Sequence, residues 1–314
     1  MATQLKKVVA PSGGDYTSLE ACMNANEQNL VTADKYFDVE ISGDWTSAPD
    51  TTVVTLHNYT CDATRKITVY TTGDAKHDGT FYGNAKAYVL QAATILSNNT
   101  ASEFSTFQDM LFDGNSSEGE AFLNLGGTDG GDDATIKRCI FIDFTANTLS
   151  SAATQNLLVE NCMFIDCERS VYAESESTTI KVYNCTSLGG DYGFLRVLCQ
   201  NCYSGEHSTE DFFTLAIGSD YCVSADTSAN DECTNNTTGK TSYSDYFENV
   251  GAGAEDLHIK NTSNNLWGLS GTDLSGIFTD DIDGDTRSAW DIGADEYVSG
   301  KVVIKSPFPT FFNT

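Results

Sequence analysis

Basic residues are scarce in this chain. Lys and Arg total 17 against 45 Asp and Glu, a formal charge of −28. Free nucleic acid and anionic membrane surfaces would repel such a surface, so neither is expected as a partner. Long apolar runs are missing too: no stretch approaches 18 residues, which excludes a membrane-spanning helix. The start, Met1-Ala2-Thr3-Gln4-Leu5-Lys6-Lys7, leads straight into a strand-like run. No apolar leader follows it, so the expectation is synthesis and folding in the cytoplasm. Histidines number four and only one CxxC spacing exists, Cys199 to Cys202, too few ligands for a zinc frame.

What is present is a repeat. Apolar residues make up 40% of the chain and aromatics 11%, enough to bury a continuous core despite the charge. Arg138-Cys139-Ile140-Phe141-Ile142-Asp143 aligns with Asn161-Cys162-Met163-Phe164-Ile165-Asp166, 23 residues on. Asn184-Cys185-Thr186 follows after another 23, and Asn201-Cys202-Tyr203 after 17. A β-prone run precedes each motif. Short strands around a polar corner, repeated at this period, predict a solenoid: an all-β, single-stranded right-handed parallel β-helix. Residues at one phase then stack at the strand spacing of about 4.8 Å. Cys139, Cys162, Cys185 and Cys202 are expected as an inward, reduced ladder beside Phe141 and Phe164. Asn161, Asn184 and Asn201 are expected as a corner ladder, since Asn tolerates left-handed backbone.

Four segments follow. Residues 1–50 form an N-terminal cap, with a strand at Lys7–Ala10, a capping box from Thr17 to Glu20 and a helix burying Leu19, Cys22 and Met23. Residues 51–245 carry the coils, the weaker ones at Val53–Leu56, Ile67–Tyr70, Tyr88–Gln91, Asp109–Phe112 and Ala121–Leu125. Gly126–Asp133 is a loop, and residues 224–242 a loop or a break. An acidic closing segment spans 246–300, and an extended Pro/Phe tail spans 301–314.

The closing segment contains Asp281-Ile282-Asp283-Gly284-Asp285-Thr286-Arg287 and then Asp291-Ile292-Gly293-Ala294-Asp295-Glu296-Tyr297. This resembles the DxDGxxR…DIGAxEY signature that ends many proteins of the pectate-lyase-like superfamily. Gly13-Gly14-Asp15-Tyr16-Thr17-Ser18-Leu19 resembles their N-terminal start. The resemblance implies the β-helix. It does not imply one activity, because the superfamily holds lyases, hydrolases, adhesins and phage tailspikes.

Asp281, Asp283 and Asp285 stand at the alternating phase of a calcium loop, with Gly284 for the turn. Arg287 is an alternative neutraliser, so no cofactor is required, with Ca2+ as the possible one. The arginine motif of the lyases and the paired-aspartate pattern of the polygalacturonases are both missing. The remaining catalytic candidates are Asp143 and Asp166, stacked one coil apart, with solvated corner carboxylates as the plain alternative. Ser306–Thr314 holds two of the four prolines and Phe308, Phe311 and Phe312, a partner-binding candidate. The expectation is a structural protein of a virus particle such as a bacteriophage: a capsid decoration protein, tail fibre or tailspike module. It would be a homo-oligomer that contacts sister subunits or other particle proteins. The alternative is a polysaccharide lyase or glycoside hydrolase acting on a surface glycan.

Overall fold

A computed structural model describes residues 2–46, 49–54, 56, 58–82, 85–91, 104–115, 123–125, 133–151, 156–260 and 271–297. Three parallel sheets carry the chain. The first stacks Thr3–Val9, Lys35–Ile41, Ile67–Thr71, Phe104–Gln108, Asp133–Lys137, Asn156–Glu160, Ile180–Tyr183 and Leu198–Gln200. The second runs from Val89–Leu90 through Ile140–Ile142 and Met163–Ile165 to Val223–Ser224. The third stacks Leu123–Leu125, Asn147–Ser151, Arg169–Ala173, Tyr192–Leu195 and Glu210–Phe213. From residue 133 the chain visits the three sheets in turn, and each circuit pairs with the one before. This is an all-β parallel solenoid.

The register is the one the repeat predicts. Ile140, Met163, Thr186, Tyr203 and Val223 are successive partners. The cysteines one residue earlier therefore stack, and Cys222 joins them, hidden in the sequence by its polar surroundings. Cys139, Cys162, Cys185 and Cys202 have no exposed surface. Backbone amides point at the stacked sulfurs, Cys139 N at Cys162 Sγ (3.5 Å) and Cys162 N at Cys185 Sγ (3.4 Å). Burial pushes the Cys139 and Cys162 thiols far above their ordinary range, so they are inert. Cys222 departs from the all-reduced expectation: it forms a disulfide with Cys233, Cα to Cα 6.1 Å. Beside the ladder Phe112, Phe141 and Phe164 stack face to face, with centroids 4.9 and 5.1 Å apart.

First-sheet strands alternate, as in Asp133–Lys137, where only Ala134 and Ile136 are buried. Second-sheet strands are buried on both faces, which is why they read as unbroken apolar runs. Phe141 and Phe164 point into the solenoid. Ile140, Ile142, Met163, Ile165 and Leu188 point outward into a separate cluster with Tyr246, Phe247, Leu257, Ile282, Ile292 and Ala294. The closing segment thus lies along the flank of the second sheet, where it buries that apolar face.

Some local expectations shift. The first strand is Thr3–Val9, and the helix Leu19–Ala25 is capped by Ser18 rather than Thr17, its hydroxyl accepting from Ala21 N (3.2 Å). Leu19, Cys22 and Met23 are buried as expected. No strand forms over 51–54. There the Asp50 carboxylate gathers Thr52 N (3.1 Å), Leu19 N (3.0 Å) and Tyr88 Oη (3.0 Å), so side-chain bonds replace a ladder. Residues 224–242 are not a break. Asp220 bridges Thr234 and Val223 bridges Thr237, one more compressed turn around the helix Ala229–Glu232. Residues 126–132 of the expected loop lie outside the described residues. Among the described residues no helix is long and apolar enough to cross a membrane.

Candidate functional site

Each coil needs a sharp corner between its first and second strands, and one residue there takes left-handed backbone. These residues are Asp109, Arg138, Asn161, Asn184, Asn201 and Tyr221, with φ between 47° and 59°. Asn is among the few non-glycine residues that reach this region at low cost. The ladder is bonded internally, Asn201 Nδ2 donating to Asn184 Oδ1 (3.1 Å). Its other bonds go outward to the closing segment. Asn161 Nδ2 donates to Asp280 O (2.8 Å), Asn184 Nδ2 to Asp291 O (2.8 Å) and Asn201 Nδ2 to Thr272 O (2.8 Å).

Arg287 locks this seam. Its side chain is fully buried, and Nη2 donates to Asn161 Oδ1 (2.8 Å), Gly293 O (3.0 Å) and Ala294 O (2.7 Å). Glu296, 3.7 Å away, supplies the counter-charge. Of the two sequence readings, Arg287 does not cap the Asp281–Asp285 loop with a forked bridge; its bonds go to the solenoid corner and to carbonyls. Gly293, at φ 101°, sits so close that a Cβ would lie 2.7 Å from Thr186 Oγ1. The signature residues are thus the parts of a seam. One coil upstream of Asn161, where no Asn is present, Arg138 pairs with Asp109 (2.6 Å) and with Asp280, doing the same work by charge.

Asp143 and Asp166 occupy the next corner, after the second-sheet strands, again with left-handed backbone (φ 55° and 51°). The pairing of Ile142 with Ile165 brings them one coil apart. Gly189 continues the row at φ 78°, and a Cβ there would meet the Asp166 carboxylate at 2.3 Å. Burial, then Asp113 and Asp166, raises the pKa of Asp143; burial and Glu255 raise that of Asp166. Tyr82 faces the same carboxylates and its phenol is pushed up to about 12, mainly by burial. Asp143→Asn and Asp166→Asn should each shift stability by no more than about 0.5 kcal/mol. A raised carboxyl pKa means that ionisation costs stability as pH rises through the folded value, and Asn removes that cost while keeping the left-handed turn. Urea titration checks this, and a loss above about 2 kcal/mol would show a structural bond at these carboxylates. His207, beside Glu206 and Glu210 in sequence, turns instead to Ser187 Oγ (3.0 Å) and is held neutral by burial, its pKa about 4.

Asp281, Asp283 and Asp285 do converge, a ligand oxygen from each lying within 4.8 Å of the others. Asp281 Oδ1 accepts from Asp283 N (3.1 Å) and Asp285 N (2.8 Å), closing the turn from inside. Asp283 turns to His258, whose Nε2 is 3.2 Å from both carboxylate oxygens. The sequence reading passed over His258, Asp256 and Asp295. Only the fold joins these to Asp283, and no short spacing could have announced them. Phe308, Phe311 and Phe312 lie outside the described residues.

Comparison with family models, curated proteins and solved structures finds no match for this chain.

Proposed function

We propose that this chain is a single-stranded right-handed parallel β-helix of the pectate-lyase-like kind and a structural module of a virus particle: a capsid decoration protein, tail fibre or tailspike part. Right-handedness rests on the strong chiral preference of parallel crossovers. The particle role rests on one observation above all. The apolar outer face of the second sheet is already covered by Tyr246, Phe247, Leu257, Ile282 and Ile292, and Arg287 bolts that cover down. The body is thereby sealed on its most apolar flank by residues up to Tyr297. The three phenylalanines of the tail, each able to bury roughly 150–250 Å², are then directed to a sister subunit or another particle protein.

Deleting residues 306–314 should leave the melting temperature within about 2 °C of the full chain, as a change well under 1 kcal/mol would. Assembly, followed by light scattering and electron microscopy, should weaken. Normal assembly of the truncated chain, or its failure to fold, would overturn the assignment.

The second reading, cleavage of a surface glycan, has the stacked Asp143 and Asp166 in its favour, with raised pKa values beside Tyr82. If the purified protein depolymerises a glycan and either Asn variant abolishes that activity, the enzymatic reading replaces the structural one.

A further inference from the structure

Three pieces of chain meet beside the loop 76–80: His258 from the strand Asp256–Ile259, Asp283 from the acidic turn and Asp295 from the signature. One ligand atom from each lies within 4.8 Å of the others. We propose that these three side chains bind a single divalent transition-metal cation of the zinc–manganese class, with Asp256 orienting the imidazole.

The two ring nitrogens of His258 are treated differently. Nδ1 sits 2.6 Å from Asp256 Oδ1, a short charge-assisted bond. Nε2 is equidistant from the two oxygens of Asp283, at 3.2 Å from each. A directed charge-assisted hydrogen bond would be about 2.7–2.9 Å long. Two ligand atoms sharing a metal at about 2.1 Å stand roughly 3.0–3.4 Å apart. A carboxylate behind the imidazole is also the usual partner of a metal-bound histidine, because it fixes the ring and its tautomer.

Asp295 points to a ligand independently. Its side chain is buried, and Oδ2 accepts from Ile259 N (2.8 Å). Oδ1 is buried and no hydrogen bond reaches it among the described residues, a costly position for a carboxylate oxygen without a cation. Two more carboxylates are buried here, Asp256 bonded to the same imidazole and Asp281 close enough to act on Asp295. The nearby cations are engaged elsewhere: Lys76 Nζ lies on Asp283 O (3.2 Å) and Asp109 (3.4 Å), and Arg287 on the seam.

The loop above is shaped to leave room. A Cβ on Gly79 would lie 2.3 Å from both Asp283 Oδ1 and His258 Nε2. His77 holds that glycine in place, accepting from Gly79 N (3.1 Å) while its other nitrogen bonds Arg138 O (2.7 Å). The imidazole ligand favours zinc over calcium, which takes oxygen donors, and the two carboxylates beside it suit manganese as well. This site therefore differs from the all-carboxylate loop of Asp281, Asp283 and Asp285, and it stands whatever the particle role.

The full chain, stripped with a chelator, is titrated with Zn2+ and with Mn2+ by calorimetry. One equivalent should bind. His258→Gln and Asp295→Asn should each weaken binding at least ~10-fold, and Asp256→Asn by about 10–100-fold as a positioning residue. A readout on the unmutated chain guards against variants that do not fold: with Mn2+ bound, pulsed electron paramagnetic resonance should show coupling to an imidazole nitrogen. Absence of saturable binding, or a bound ion without nitrogen coupling, overturns the proposal. So does binding that survives His258→Gln and is lost in Asp285→Asn, which places the ion in the acidic turn.

Discussion

Cys162→Asp should unfold the solenoid. The thiol is completely buried between Cys139 and Cys185 in neighbouring coils. Two of its closest polar neighbours are carbonyl oxygens, Glu160 O at 3.3 Å and Ile136 O at 3.6 Å. A carboxylate there would face two acceptors and one weakly placed amide, Cys139 N. A buried, unpaired carboxylate costs several kcal/mol even after it takes up a proton. Domains of this kind have only about 5–15 kcal/mol in total. The expected loss is at least about 4 kcal/mol, seen as insoluble expression or a collapsed urea midpoint. Cys162→Ala is the control: it removes one sulfur without adding charge and should cost roughly 1–2 kcal/mol. An aspartate variant that unfolds within about 1 kcal/mol of the alanine variant would mean that the ladder is wet or loosely packed, against the interior reading.

That prediction was open to the sequence because a solenoid repeats its environment. Cys139, Cys162 and Cys185 share a 23-residue spacing, and the strand pairing reproduces it residue for residue. The Asn ladder was equally legible, since a polar residue before every cysteine asks for a corner. The same rule applied to Asp143 and Asp166 explains them as left-handed corner residues, information the sequence held but that a search for catalytic carboxylates obscures. Where spacing changes, legibility fails. Cys222 sits 20 residues after Cys202 in a Ser/Thr/Asp-rich turn, and its disulfide to Cys233 closes a coil too short to show periodicity. The first coils are interrupted by long excursions; Ile67 pairs with Ser105 across 37 intervening residues. The acidic turn was found for the right local reason, alternating aspartates around a glycine. Its true neighbours, His258 and Asp295, come from elsewhere along the chain, and only tertiary packing brings them together.

Arg287 shows the same limit at its largest scale. The sequence offers it the nearby aspartates; the fold gives it Asn161, 126 residues away. Arg287→Met should therefore release the closing segment and leave the coils standing. The substitution strips the guanidinium from Asn161 Oδ1, removes one donor each from the carbonyls of Asp291, Gly293 and Ala294, and leaves Glu296 buried without its counter-charge. Breaking a buried pair in this way costs about 3–5 kcal/mol. Arg287→Lys should recover little, because an ammonium cannot span a planar set of acceptors on both sides of the seam. The coils retain their own interior core, which shares no residue with the flank cluster, so the loss is local before it is global. Once the cover lifts, Ile140, Ile142, Met163, Ile165 and Leu188 face water as one apolar strip. Limited proteolysis should then cut within 246–297 while a fragment ending near residue 242 persists, and a dye specific for apolar surface should bind the variant and not the parent. Equal protease resistance in Arg287→Met and the parent chain would show that the seam is held by its apolar pegs alone, with the guanidinium a passenger.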